Sequence, residues 1–252
     1  ILVPSLFEPW AHRLIQENQP WTDKTVLDLA CGTGVVTKEL VKSVGANGKV
    51  IALDMNPQML NVAQVKCKEW ENKIEFIVGS AERLAIADNS IDKVVCQQGF
   101  QFFPNKKTAA RELHRVLKPK GTAILSTWCP VSECAIFGVI CDALESMNQH
   151  EISQMMRVPF DCLTQNELVE SFRDSGFSTH QITKQEQHLI IAGGMDGALS
   201  FAYATPIGPK LNALTREEQK EFRNVFSDKM QVLLQADGNV GRMVTNVLKL
   251  EK

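Results

Sequence analysis

The chain has 252 residues, a formal net charge of −2, an apolar fraction of 44% and a charged fraction of 22%. These values predict a globular protein with a substantial core. They exclude a typical nucleic-acid-binding protein, because binding to nucleic acid requires clustered positive charge and the sequence contains no basic run. No stretch of about 18 apolar residues is present, so no membrane-spanning helix is predicted.

The seven cysteines indicate a reducing environment. Their number is odd, none forms a C-x-x-C pair, and several lie within apolar segments such as VLDLAC and KVVC. We therefore predict buried thiols, no metal site and a cytoplasmic location.

The first half of the chain alternates strand-like apolar runs with segments of helical periodicity. An amphipathic helix is predicted over residues 5–18. It is followed by predicted strands at 25–30, 49–53, 74–78, 91–96 and 122–128, with helices at 35–44, 57–70 and 106–117 between them. This alternation is typical of βαβ units and therefore of a parallel sheet.

After residue 128 the pattern becomes mostly helical. The predicted elements are helices at 133–148 and 164–175, a strand at 177–191, further helices within 194–236 and a last strand at 240–250. We predict an α/β fold with a Rossmann-like, mostly parallel seven-stranded sheet, helices on both faces and a helical lid insertion. The prediction is one domain, with a core of about 20–128, 177–191 and 240–250, and helical additions at about 129–176 and 192–237.

A glycine-containing turn joins the first predicted strand to the following helix. Within its sequence DLACGTG, Gly32 and Gly34 let the backbone approach a ligand closely. Asp54 ends the next strand, where a carboxylate can accept two hydrogen bonds from a ribose diol. Together these features predict a nucleoside-containing ligand. Two plainer interpretations stay open: the glycines could serve only the turn, and Asp54 could cap the helix that begins at Pro57.

The residues around the turn indicate which nucleoside-containing ligand the protein binds. A dinucleotide fingerprint requires a third glycine where this chain has Thr37. Asp28 precedes the turn, where its charge would repel a pyrophosphate. S-adenosylmethionine carries an ammonium group, a sulfonium and no phosphate, and so fits this pattern better. A nicotinamide-dependent oxidoreductase is the rival enzyme class.

Five landmarks over about residues 20–128 resemble those of the class I S-adenosylmethionine-dependent methyltransferases. The resemblance is to the broad group that includes the ubiquinone/menaquinone-biosynthesis methyltransferases. The landmarks are, in chain order, DLACGTG, ALDMNPQML, GSAERLAIADNSID, QQGFQFFP and RELHRVLKPKG. The first departs from the family pattern, since Ala30 replaces the first glycine. The third has Ser80 where many relatives have aspartate.

The resemblance implies that S-adenosylmethionine is the cofactor, and it suggests which residues bind each part. These are Asp28, Ala30, Gly32 and Gly34 at the methionine end, Asp54 at the ribose, Met55 and Met59 at the adenine, Ser80 and Ala81 at the adenine edge, and Gln97 near the ammonium and methyl groups. The Ser80 hydroxyl would be a weaker acceptor than the usual aspartate. Met55 and Met59 could instead be core residues, and Gln97 a loop residue.

The implied activity is methyl transfer by in-line displacement to a small, lipophilic or aromatic acceptor, on oxygen, carbon or nitrogen. The segment CQQG after the fourth strand lacks the N/D-P-P-Y/F tetrad of enzymes that methylate nucleobases and amides, so no nucleic-acid partner is predicted. Gln98, Phe100 and Phe102 are candidate substrate contacts, although the phenylalanines could serve packing alone.

No catalytic base is identified from the sequence. His12 in the first helix and Tyr203 in the helical region are the candidates, followed by His150 and His188. A base is needed only when the acceptor holds its proton firmly. The alternative function is a non-catalytic, S-adenosylmethionine-binding partner or regulatory protein.

Overall fold

The computed structural model describes residues 3–252, which divide into two compact units. The sheet unit comprises residues 8–127, 165–184 and 246–252, and the helical unit comprises residues 3–7, 128–164 and 185–245. Residues 165–176, predicted as part of a helical addition, thus belong to the sheet unit. The single-domain arrangement and the lid stay predictions.

Seven strands form one sheet. They are β1 Thr25–Leu29, β2 Lys49–Asp54, β3 Ile74–Val78, β4 Ile91–Gln97, β5 Leu117–Trp128, β6 Thr179–Ile190 and β7 Asn239–Glu251. Their order across the sheet is β3-β2-β1-β4-β5-β7-β6, and the first five pair in parallel. β7 runs antiparallel to both of its neighbours, as its backbone hydrogen bonds show. The predicted seven-stranded, mostly parallel sheet is confirmed.

Ten α-helices are present in the described residues. They are α1 Glu8–Gln16, α2 Val35–Ser43, α3 Pro57–Lys66, α4 Lys106–Val116, α5 Ala135–Ser146, α6 His150–Asp161, α7 Gln165–Glu170, α8 Gly194–Ala204, α9 Gly208–Ala213 and α10 Arg216–Met230. Shorter helical turns span Val3–Phe7, Lys68–Lys73, Phe100–Phe102 and Val131–Glu133. No helix within residues 3–252 is both long and apolar enough to cross a bilayer.

Several element boundaries differ from the prediction. β5 begins at Leu117 rather than at residue 122, because Leu117 already pairs with Ile91 of β4. Pro119 and Gly121, which predicted a break in the chain, therefore lie inside the strand. The helix predicted to reach residue 70 ends at Lys66, and α6 was not predicted as a separate element. The predicted capping box at α10 is confirmed, with Thr215 and Glu218 each accepting a hydrogen bond from the other's backbone.

The core of the sheet unit follows the alternation of the strands. On one face, buried residues of β1, β2 and β4 form a cluster with residues of α1 and α2, including Val26, Val50, Val95, Leu14 and Leu40. Residues of opposite parity on the same strands are also buried. Because both faces are covered, the strands are almost continuously apolar, as expected for a parallel sheet.

One arginine fixes the loop between β3 and β4. The Arg115 guanidinium forms ion pairs with Glu112 and Asp88 and donates hydrogen bonds to the carbonyls of Leu84 and Ile86. This fork of donors can satisfy several acceptors at once, so one side chain of α4 holds the loop in shape. The loop carries part of the candidate site described next.

Candidate functional site

The chain reverses direction between β1 and α2 through a left-handed backbone bend. Ala30, Gly32 and Gly34 have φ values of 56°, 54° and 81°. Glycine adopts this conformation without penalty, whereas an L-residue such as alanine pays for the position of its Cβ atom. Ala30 is therefore a strained residue at the carboxyl end of the sheet.

The end of β2 holds this bend in place. The Cys31 amide donates to the Leu53 carbonyl at 3.0 Å, and the Gly32 amide donates to Asp54 Oδ2 at 2.8 Å. Asp54 Oδ1 accepts from the Asn56 amide at 2.9 Å. A carboxylate offers about four acceptor positions, so Asp54 retains capacity for about two more donors.

The cap of α3 is not Asp54. The Asn56 side chain accepts from the amides of Gln58 and Met59, at 2.9 and 3.4 Å. Asn56 thereby satisfies the helix N-terminus, and Pro57 occupies the first turn. The interpretation of Asp54 as a simple helix cap is thus wrong.

The two glycines of the turn serve different purposes. A Cβ atom on Gly34 would come within 3.0 Å of the Ala63 side chain, so Gly34 allows α2 and α3 to pack closely. A Cβ atom on Gly32 would meet nothing within 4 Å. Gly32 therefore leaves open space in front of the backbone, and of the two it is the position that a ligand can approach.

A cavity of 430 Å³ lies at this end of the sheet. It is lined by Leu29, Ala30, Gly32, Leu53, Asp54, Met55, Asn56, Met59, Gly79, Ser80, Ala81, Glu82, Gln98, Gly99, Phe102, Phe103 and Pro104. Its volume is within the usual range of small-molecule sites. Nine residues predicted from the sequence are brought together here: Ala30, Gly32, Asp54, Met55, Met59, Ser80, Ala81, Gln98 and Phe102.

Exposed apolar side chains form part of the cavity wall. Met55 is 73% exposed, Met59 43% and Phe102 53%. Their placement beside the Asp54 carboxylate matches a ligand that combines a flat apolar ring with a diol. The wall thus fits the adenosine part of S-adenosylmethionine, since covering these side chains would remove apolar surface from water.

The charge of the cavity is negative. Its described lining contains the carboxylates Asp54 and Glu82 and neither lysine nor arginine. A pyrophosphate would meet no cationic side chain here, whereas the ammonium and sulfonium of S-adenosylmethionine would meet two carboxylates. The lining therefore argues against a dinucleotide.

Asp28 is not among the residues that line the cavity. It is 1% exposed, and its Oδ2 accepts from the Thr37 hydroxyl at 2.5 Å. Burial raises the pKa of Asp28 from 3.8 to about 7, and the hydrogen bonds from Thr37 oppose part of that rise. The carboxylates that lie at the cavity surface are therefore those of Asp54 and Glu82.

Glu82 was not selected from the sequence. Its Oε1 accepts from the Asn105 amide at 2.6 Å, and its own amide donates to the Ser80 hydroxyl at 3.2 Å. Glu82 therefore links the loop after β3 to Asn105, which follows the cavity-lining residue Pro104. The only available signal was its place in the landmark GSAERL, next to Ala81.

Of the residues that follow β4, some line the cavity and others are buried in the core. Gln98 has a φ of 54°, is buried and lines the cavity. Gln97 does not line it. Phe100 is fully buried and stacks on Phe172, with ring centroids 5.0 Å apart. Phe100 is thus a packing residue and leaves the set of candidate substrate contacts, while Phe102 stays in it.

The candidate bases lie elsewhere. His12 is on the surface of α1, 64% exposed, with Nδ1 3.5 Å from a Glu39 carboxylate oxygen. Tyr203 belongs to the helical unit, where its ring meets Phe222 edge-on. Neither His12 nor Tyr203 is among the residues that line the cavity.

The chain is similar to known methyltransferases. Residues 26–121 match a family model described as a methyltransferase domain. A demethylmenaquinone methyltransferase of Lactococcus lactis is 40% identical over 46% of this chain and 46% of its own length, so the chain spans about half the length of that relative. One from Staphylococcus saprophyticus is 30% identical over 69% of this chain and 78% of that relative.

The fold also matches a solved structure. The YcgJ protein of Bacillus subtilis superposes with a TM-score of 0.62, covering 97% of this chain and 98% of that chain at 19% identity. At this identity the likeness supports the fold alone.

Close packing of Ala30 against Gly99 predicts that the two positions are energetically coupled. A Cβ atom on Gly99 would lie 2.6 Å from the Ala30 Cβ and 3.0 Å from the Cys96 Sγ. Gly99→Ala should therefore destabilise the protein by about 1–3 kcal/mol. In an Ala30→Gly background the loss should shrink by at least about 0.5 kcal/mol, because one of the two clashes is gone. Urea unfolding of the four proteins measures this coupling.

Gly138→Ala provides the matched control for this cycle. Its new methyl group would meet only the Val131 carbonyl, at 3.5 Å. Its effect should simply add to that of Ala30→Gly. Equal losses from Gly99→Ala in both backgrounds would show that the two sites are independent.

The buried Asp28 carboxyl group predicts that the stability of the protein depends on pH. The pKa of Asp28 is raised to about 7 in the folded protein. Its contribution to stability is therefore full below about pH 4 and is lost as the pH rises through 7. Asp28→Asn keeps an acceptor for Thr37 without the charge. Between pH 5 and 8 the wild-type melting temperature should fall relative to that of Asp28→Asn by about 2 °C or more. A constant difference over this range would contradict the prediction.

Proposed function

This chain belongs to the class I S-adenosylmethionine-dependent methyltransferases of the UbiE type, and on that basis we propose that it transfers a methyl group from S-adenosylmethionine to a small lipophilic or aromatic acceptor. The observation that carries the proposal is that one cavity combines a carboxylate, an open backbone bend and an exposed apolar wall. A carboxylate-braced bend at Gly32 and Asp54 lies beside the exposed wall of Met55 and Met59, and the described lining contains no cationic side chain.

We assign the adenosine half of the cofactor to the Asp54 side of the cavity. Asp54 would accept the ribose hydroxyls with the acceptor positions that Gly32 and Asn56 leave available. Met55 and Met59 would cover the adenine ring. Ser80 and Ala81 would meet its edge, with the Ser80 hydroxyl in place of the aspartate of many relatives.

We assign the methionine half to the bend itself. The Gly32 backbone has open space in front of it, and Ala30 lines the same region. Asp28, although buried, lies directly before the bend and would stabilise a nearby cation when ionised. Gln98 and Phe102 would lie on the acceptor side.

When bound, S-adenosylmethionine supplies an electrophilic methyl group, whose bond to sulfur breaks as a lone pair of the acceptor forms the new bond. The residues of the chain would contribute by holding the cofactor and acceptor in line and by excluding water. The strained backbone of Gln98 and the apolar ring of Phe102 would serve that orientation. A base from the protein is required in this scheme only when the acceptor holds its proton firmly; a more acidic acceptor releases its proton to water.

The apolar side of the cavity supports an aromatic acceptor. Phe102, Phe103 and Pro104 line the same cavity as Gln98. Both curated relatives described above are named demethylmenaquinone methyltransferases. Aromatic compounds of the quinol type, which are electron-rich, are therefore the first acceptors to test, ahead of aliphatic acids and amines.

Binding of the product analogue tests the cofactor assignment. Calorimetry should detect S-adenosylhomocysteine binding to the wild type at least about tenfold tighter than NADH. Asp54→Asn should weaken that binding by about 10- to 100-fold, as expected for lost hydrogen bonds to a charged acceptor. The charge-matched control Asp142→Asn, on the exposed side of α5, should change it less than about twofold.

A second ligand separates direct contact from loss of the bend. The 2′-deoxy analogue of S-adenosylhomocysteine should bind the wild type more weakly than the parent compound. In Asp54→Asn the two ligands should bind alike, because the partner of the missing hydroxyl is already gone. An equal penalty in both proteins would contradict a ribose contact at Asp54.

Turnover decides between an enzyme and a binding protein. Methyl-labelled S-adenosylmethionine should transfer its label to at least one compound in a panel of quinols, phenols, acids and amines. The rate with Phe102→Ala should fall by about tenfold or more if its ring positions the acceptor. Tight cofactor binding with no transfer to any acceptor would instead support the non-catalytic alternative.

A further inference from the structure

The helical unit carries a basic stripe on α10. Arg216, Lys220 and Arg223 occupy positions i, i+4 and i+7, so their side chains lie on one face of the helix. The stripe is about 10 Å long. Glu217 and Glu221 lie on the neighbouring face, so they do not interrupt the basic stripe.

Two cavities of 400 Å³ each lie along this stripe and share Tyr203 and Arg223. One is lined by Tyr203, Asn212, Arg216, Gln219, Lys220 and Arg223. The other continues along α8 past Asp196 and Ser200. Because they share two residues, the cavities are adjacent, and we refer to them together as the groove.

The positive charge in the groove is only partly neutralised. Arg223 lies 3.3 Å from the Asp196 carboxylate, but both side chains are exposed, so this pair is weak. Within residues 3–252, the side chains of Arg216 and Lys220 form no ion pair. The groove therefore concentrates two unpaired cations beside a third.

A tyrosine supplies a neutral donor at the centre of the groove. The Tyr203 ring is half-buried and packs edge-on against Phe222, with centroids 6.1 Å apart. In the described part of the chain its hydroxyl forms no hydrogen bond. Burial raises the pKa of Tyr203, so the hydroxyl keeps its proton and can donate at neutral pH.

The floor of the groove is built by hydrogen bonds within the helical unit. The Gln219 side-chain amide donates to the carbonyls of Asn212 and Leu214, at 3.1 and 2.8 Å. These bonds tie the end of α9 to α10. The first turns of α10, which carry Arg216 and Lys220, are therefore held against the end of α9.

We propose that this groove is an anion-binding site for a phosphate-bearing ligand. Arg216, Lys220 and Arg223 would supply charge-assisted hydrogen bonds, and the Tyr203 hydroxyl would donate a further one. A phosphate or diphosphate offers several oxygens and more than one negative charge, which matches three cations spread over about 10 Å. A single carboxylate would engage only part of the stripe. The site is independent of the proposed methyl transfer.

Calorimetry with inorganic pyrophosphate at fixed ionic strength tests the site. The wild type should bind it saturably with a Kd below about 1 mM, and Arg216→Gln and Lys220→Gln should each weaken binding at least about fivefold. Tyr203→Phe, which keeps the ring, should weaken it about threefold or more. Lys229→Gln is the matched control, because it makes the same charge change on another face of α10, and it should have less than a twofold effect.

Vesicles distinguish two sources of the phosphate. Binding to phosphatidylglycerol vesicles but not phosphatidylcholine vesicles, lost in Arg216→Gln and Lys220→Gln, would identify a lipid head group. Binding of pyrophosphate without vesicle binding would identify a free phosphate ester. Both results support the anion site. Absence of binding to either probe, or an equal loss in Lys229→Gln, would overturn it.

The same variants separate this proposal from the proposed methyltransferase function. Their affinity for S-adenosylhomocysteine is measured in parallel and should stay within about twofold of the wild type, since that affinity depends on the cavity of the sheet unit. Loss of anion binding with retained S-adenosylhomocysteine binding supports the groove. Loss of both in the same variant would attribute the effect to misfolding and overturn the assignment of these side chains.

Discussion

The candidate site depends on one carboxylate that accepts hydrogen bonds from two separate loops. Asp54 Oδ2 accepts from Gly32 in the bend after β1, and Oδ1 accepts from Asn56 before α3. These bonds hold the carboxyl ends of two neighbouring strands in a fixed relation. They also orient the carboxylate, so that its remaining lone pairs are directed by the backbone rather than by a flexible side-chain torsion. A ligand that binds there meets a preorganised acceptor.

Two residues with a strained backbone lie at the same cavity. Ala30 and Gln98 are both non-glycine residues with positive φ, and both line it. Each such residue costs on the order of 1 kcal/mol and persists only where the surroundings enforce it. For Ala30 the surroundings include Gly99, whose missing side chain leaves room for the Ala30 methyl group. Ala30 and Gly99 therefore fit together because only Ala30 carries a methyl group, and the hydrogen of Gly99 leaves space for it.

The two units carry different electrostatic features. The cavity of the sheet unit presents Asp54 and Glu82, which suits a positively charged, phosphate-free nucleoside. The groove of the helical unit presents Arg216, Lys220 and Arg223, which suits an anion. The fold by itself supports many activities, so function has to be argued from these side chains rather than from the topology. Charge is the property that most clearly separates the two sites.

The sequence alone was sufficient to predict the strands, the bend, the cofactor class and about half of the cavity wall. These features arise from local signals: apolar periodicity, glycine where φ is positive, and an acid at the end of a strand. Only the tertiary structure decided that Asp28 is buried against Thr37, that Asn56 rather than Asp54 caps α3, and that Phe100 stacks on Phe172. The reason is that burial and the choice among competing hydrogen-bond partners depend on how elements pack in three dimensions. A side chain's type sets which contacts it can form, and the packed structure decides which of them it forms.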